Sequence, residues 1–162
     1  MNSIATIPPF RVMGIEVRTK NADGRAGKDL KHLWDRFFRE QIMDNIPDRD
    51  GNDIYAVYTD YESDHSGEYT TILGCKVSIT DNIPQGLTVK DLGDSTYTRY
   101  TVEGRLPDIV INTWTDIWNN KTINRAFTSD FEVYDAASFG SESSRVDIYV
   151  AMHREQSFED NG

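Results

Sequence analysis

Cysteine is almost absent: Cys75 is the single one in 162 residues, so no intramolecular disulfide can form and a reducing compartment is the natural setting. That lone thiol reads as a small buried hydrophobe, because no local motif places a histidine beside it or beside any serine. Positive charge is also short. Lysine and arginine number 17 against 27 aspartates and glutamates, a net charge of −10, and this balance opposes the extended phosphate contacts of a nucleic-acid binder. No segment approaches the length of a membrane span, and Met1-Asn2-Ser3-Ile4-Ala5-Thr6 has neither the basic start nor the apolar run of a secretory leader. A soluble, cytoplasmic protein without a direct nucleic-acid or membrane partner is expected.

Further absences narrow the chemistry. His32, His65 and His153 are scattered, so no zinc spacing exists, and no glycine loop of the phosphate-cradling kind occurs. The alternation Asp60, Glu62, Asp64, Ser66, Glu68 has the look of a calcium loop, yet Gly67 stands eighth where glycine is needed sixth, and Thr71 stands twelfth where a bidentate glutamate is needed. A solvated hairpin loop explains it better. No metal and no cofactor are expected.

What is abundant is aromatic surface: three tryptophans, eight tyrosines and seven phenylalanines, enough for both a core and an aromatic-lined pocket. The length suits one domain, 1–162. Along it, Arg11–Thr19 reads as a strand in which Gly14 marks a bulge or a close approach, and a helix spans roughly Asp29 to Met43 on the spacing of Leu30, Leu33, Trp34, Phe37, Phe38 and Ile42. Ile54–Tyr61 and Tyr69–Val77 form a strand pair joined by a polar loop. After the punctuation Asn82-Ile83-Pro84-Gln85-Gly86, the series begins again. Leu87–Leu92 and Ser95–Val102 are strand material, and Leu106-Pro107-Asp108 opens a helix bearing Val110, Trp114, Ile117 and Trp118. Phe131–Tyr134 and Val146–Val150 are the closing strands. The tail 153–162 is polar and expected to be flexible.

Both halves, roughly 7–80 and 87–152, therefore read as strand, helix, strand, strand. Tyr55-Ala56-Val57-Tyr58 falls on Phe131-Glu132-Val133-Tyr134 at a shift of 131 − 55 = 76, and Ile72 falls on Ile148 at the same shift. Trp34 and Trp114 are related by 114 − 34 = 80. The expected fold class is α+β: duplicated strand-helix-strand-strand modules forming an antiparallel sheet with two main helices and a central cleft. The halves differ in acid. Ala56 corresponds to Glu132, and on an ungapped count Thr71 corresponds to Asp147. Side chains two apart share a strand face, so the hairpin is expected to gather Glu132, Tyr134, Asp147 and Tyr149 on one side. Tyr58 and Trp114 are the further candidates for aromatic walls. A partly buried Glu132 would recover its desolvation cost when a cation arrives, helped by nearby ring faces.

The runs Asp53–Asp64, Gly67–Thr70, Asp130–Asp135 and Val146–Val150 together resemble the gyrase-inhibitor-like effector-binding family, the ligand domain also attached to AraC-type and MerR-type multidrug regulators. Similarity extends from about Ile7 to Met152. The resemblance implies a cleft on a pseudo-twofold axis that takes lipophilic, often cationic compounds. It places Glu132 at the pocket glutamate, and Asp147 and Tyr149 at positions that contribute in some members. It also implies a stand-alone form, since no helix-turn-helix is legible. Three roles follow as expectations: a binder of hydrophobic or cationic small molecules, a hydrolase using Glu132 as general base with Tyr149 assisting, or a module meeting a protein partner such as gyrase.

Overall fold

The structure is a computed structural model that describes residues 2–64, 66–78 and 80–153. Of the tail expected to be flexible, only His153 falls within it, and His65 lies outside. In chain order the elements are β1 (Asn2–Ile7), β2 (Phe10–Lys20), α1 (Arg25–Arg39), α2 (Ile42–Asn45), β3 (Ile54–Thr59) and β4 (Glu68–Val77). The second half follows as β5 (Thr88–Leu92), β6 (Ser95–Gly104), α3 (Asp108–Asn119), β7 (Ser129–Tyr134) and β8 (Ser144–Ala151). All eight strands join one antiparallel sheet in the order β1-β6-β8-β7-β3-β4-β2-β5.

That order is unchanged when read from the other end with the halves exchanged, β1 for β5, β2 for β6, β3 for β7 and β4 for β8. The two halves meet at the β3–β7 pair, where Ala56 lies opposite Glu132, Ile54 opposite Tyr134 and Tyr58 opposite Asp130. Because 132 − 56 = 76 is also the repeat shift, the pseudo-twofold axis passes through the Ala56–Glu132 pair itself and exchanges Tyr58 with Tyr134. The outermost strands change sides: β1 pairs with β6 of the second half, and β5 with β2 of the first. Strand β1 adds to the elements legible in the sequence; its exposed, edge position gives it little apolar alternation.

Helix α1 begins four residues before the expected Asp29 and ends before Met43. Gln41 takes a left-handed conformation, φ 51°, which breaks the backbone ladder and leaves Ile42–Asn45 as a separate turn. Leu33 and Phe37 bury the face of α1 that packs on β2 and β4, and Val110, Trp114 and Ile117 do the same for α3 near β6. Between helices and sheet lies the main core, which includes Met13, Ile15, Leu73, Cys75, Val146 and Ile148. The other sheet face carries a smaller cluster around Val57, Ile72, Tyr97 and Phe131. Gly14 opposes Gly74 in an unbroken β2–β4 register, so close approach, not a bulge, is the reason for glycine there: a Cβ on either would collide with the partner's backbone.

Candidate functional site

The helices roof a cleft of about 680 Å³ on one face of the sheet. Its walls respect the duplication. Ala26, Leu30, Lys31 and Trp34 of α1 line one side, and Leu106, Val110, Ile111 and Trp114 line the other, each 80 residues further on. Tyr58 and Tyr134 supply the floor from β3 and β7.

Glu132 sits at the centre of that floor, fully buried. Its Oε2 accepts from Tyr58 Oη at 2.9 Å and from Trp114 Nε1 at 2.6 Å, and its Oε1 accepts from Tyr134 Oη at 2.6 Å. Two of those donors are symmetry mates, so one acid on the axis is held from both halves. The strand geometry accounts for this: Tyr134 is two residues on from Glu132, and Tyr58 is diagonal to it across the β3–β7 pair. Among the described residues Glu132 has no ion-pair partner. Burial pushes its carboxyl above the usual range, and the hydrogen bonds from Tyr134, Trp114 and Tyr58 pull it partly back. The phenols of Tyr58 and Tyr134 are driven well above their ordinary values, by burial first and then by the facing carboxylate, so they stay protonated and donating.

Rings close the box. Trp114 meets Tyr58 edge-on at 5.7 Å, Trp34 meets Tyr134 edge-on at 5.0 Å, and Trp34 stacks on Phe139 at 5.9 Å. Such an arrangement presents negative ring faces and one carboxylate to whatever enters, in surroundings where charges are less screened than in bulk water.

A second buried acid lies next along the strand. Asp130 accepts from Arg125 Nη2 at 2.8 Å, from Tyr61 Oη and from the backbone N–H of Ala151 at 2.7 Å. Burial raises its carboxyl, and Arg125 is the largest influence in the opposite direction. Through these bonds Asp130, on β7, ties the loop before it to the end of β8.

The structure thus gathers Glu132, Tyr134, Tyr58 and Trp114 in one place, and leaves two candidates outside it. Phe131 pairs with Tyr149 and Glu132 with Ile148, so Asp147 and Tyr149 face the opposite side of the sheet. There Tyr149 stacks on Phe131 at 4.5 Å, and Asp147 accepts from Thr101 Oγ1 at 2.7 Å and lies 3.7 Å from Arg145. The expectation of two acids on a shared face is therefore corrected, and the cause is a single residue. Ala56 pairs with Leu73 while its mate Glu132 pairs with Ile148, so the last strands are related by 148 − 73 = 75, not 76. The second hairpin is one residue shorter between equivalent points, and a one-residue slip turns every side chain to the other face. Asp130, Arg125, Tyr61 and Trp34 are residues of this region that the sequence alone does not mark as a site. Parity with Glu132 could have found Asp130, and the shift of 80 could have found Trp34. No local pattern marks Arg125.

Among the described residues no three potential metal donors cluster, and no helix is long and apolar enough to cross a membrane.

Comparison with known proteins agrees with this architecture. Residues 3–152 match the family model Cass2, integron-associated effector binding protein. YobU of Bacillus subtilis (strain 168), provisionally named a transcriptional regulator, is 31% identical over 148 residues, covering 89% of this chain and 92% of its own. The integron cassette protein Cass2 from the mobile metagenome of Vibrio cholerae superposes with a TM-score of 0.75 at 28% identity, covering 94% of this chain and 95% of the other. SAV2435, solved bound to tetraphenylphosphonium, superposes with a TM-score of 0.80 at 16% identity over 94% of each chain, a likeness of fold. The resemblance carried by the Asp130–Asp135 and Val146–Val150 strands holds: this chain belongs to the integron-associated effector binding protein (Cass2) family, within the gyrase-inhibitor-like group.

Proposed function

We propose that the chain is a receptor for hydrophobic cations, which it seats in the aromatic cleft against Glu132. One observation carries this reading: a fully buried carboxylate, without a counter-ion among the described residues, stands inside a cleft of about 680 Å³ walled by tryptophan and tyrosine. Desolvating a charge costs several kcal/mol, and neutral donors offset only part of that. An entering cation supplies the rest, while its apolar substituents fill the ring-lined volume. The tetraphenylphosphonium carried by the fold neighbour SAV2435 is a compound of this class and a suitable probe. Regulation or sequestration driven by the captured compound fits an effector-binding family better than turnover does. Hydrolysis with Glu132 as general base is the weaker reading, because three donors already engage the carboxylate and Tyr149 lies on the other face.

Isothermal titration of tetraphenylphosphonium into wild type and Glu132→Gln tests the proposal. Wild type is expected to bind at least about tenfold more tightly. Equal affinity would remove the electrostatic basis of the reading.

A further inference from the structure

Arg125 is buried in the cleft wall, its side chain 7% exposed. Only one of its nitrogens has found an acceptor. Nη2 donates to Asp130, whereas Nε and Nη1, both buried, meet no hydrogen-bond partner among the described residues. The guanidinium lies 4.3 Å from the Phe127 ring centroid and 5.5 Å from that of Trp114. A ring face is at most a weak acceptor for such N–H groups and does not replace an oxygen. Buried donors left in this state destabilise a fold unless a water or a ligand supplies the acceptor.

The position of these donors relative to Glu132 is set by one side chain. Trp114 donates its Nε1–H to Glu132 and has Arg125 over its ring, so the acid meets the edge of the indole and the guanidinium its face. The two ends differ in what they can accept. Glu132 lacks a positive charge, whereas Arg125 already has Asp130 as its anion and lacks only hydrogen-bond acceptors. A second carboxylate brought there would stand beside Asp130 with one cation between two anions. A neutral oxygen would not.

Resting on the cation-receptor reading, we infer that Arg125 forms a second, polar subsite of the cleft, which takes a carbonyl-type oxygen (ester, amide or ketone) on the same ligand whose cation faces Glu132. The effector class is then a hydrophobic cation carrying a neutral acceptor a few bonds from its charge. An ion with hydrocarbon substituents alone fills the first subsite and leaves the second unused.

The test compares two phosphonium probes of equal chain length, (3-ethoxycarbonylpropyl)triphenylphosphonium and heptyltriphenylphosphonium, by isothermal titration. Against wild type the ester is expected to bind about tenfold more tightly than the heptyl compound, although it is the less hydrophobic. In Arg125→Lys, which keeps a cation beside Asp130 but loses the guanidinium fork, the ester-to-heptyl ratio is expected to fall to about one. A wild-type ratio of one or below overturns the subsite and leaves the cation reading intact, and it does so even if the variant fails to fold. An ester preference that survives in Arg125→Lys assigns the acceptor contact elsewhere and also overturns it. If neither probe binds wild type, the cation reading fails, and the subsite fails with it.

Discussion

The two halves of the chain present matched tyrosines and matched tryptophans to the cleft, yet among the described residues buried acid enters from the second half alone. Glu132 answers to Ala56, and Asp130 answers to Ile54, each at a shift of 76. Two acids on the axis would be adjacent like charges in a dry site, and one of them would hold its proton. With none, the cleft would be only a greasy slot. A single acid leaves one negative centre that draws Tyr58 from one half and Tyr134 and Trp114 from the other. The duplicated frame makes the box, and the broken symmetry puts one acid in it.

The contrast is most sharply broken at Asp130. Asp130→Ala strands Arg125 as an unpaired buried cation, and a loss of about 3–5 kcal/mol in unfolding free energy is expected by urea titration, whereas Ile54→Val at the mate should lose only about 1 kcal/mol. The next largest effect concerns binding. Glu132→Ala should weaken tetraphenylphosphonium by about a hundredfold, and moving the acid across the axis, Ala56→Glu with Glu132→Ala, should restore much of it. In that double variant Tyr58 and Tyr134 trade roles and Trp34 stands where Trp114 did. Titrations of the folded variants decide; a double variant no better than the single one would show that the frames are not interchangeable.

Acidity sharpens the same comparison. Glu132 has its carboxyl raised above 4.5 by burial, so cation affinity should fall as pH drops through that raised value, above the range of an ordinary glutamate, and the fall should vanish in Glu132→Gln. Stability runs the other way. Glu132 and Asp130 both titrate higher folded than unfolded, so between those values the folded state holds protons that the unfolded chain has released, and stability falls as pH rises through the window. Thermal melts at stepped pH should show Glu132→Gln losing less than wild type over it. Tyr58→Phe removes one neutral donor to the carboxylate; a shift of about 1 kcal/mol, seen as a higher pH midpoint for binding, is expected. Smallest of all is Asp147→Asn, on the far face, where affinity and stability should move by less than about 0.5 kcal/mol.

Much of this was legible from residue types and counting. An acid flanked by Phe131 and Val133 marked β7, and the shift of 76 placed Glu132 against Ala56, which the sheet then makes literal neighbours. Tyr58 and Tyr134 followed from parity. The last strand defeated the same method, because Ile72 and Leu73 are equally good matches for Ile148 and only the register distinguishes them. Asp147 and Tyr149 fell with that choice. Arg125 was invisible for another reason: it lies in an irregular loop, where no periodicity ties a side chain to a face, and its place comes from Asp130, Trp114 and Phe127 around it.

The exchanged edges carry a consequence for how the chain comes together. Asn2 pairs with Tyr100 and Phe10 with Leu92, so each half's outer strand is stitched to the other half across about eighty to one hundred residues of chain. Neither half can be completed alone. Such long-range closure makes for slow, all-or-none assembly. A cleft walled by both halves is then present only when the whole sheet is, so no part of the chain offers it before folding is complete.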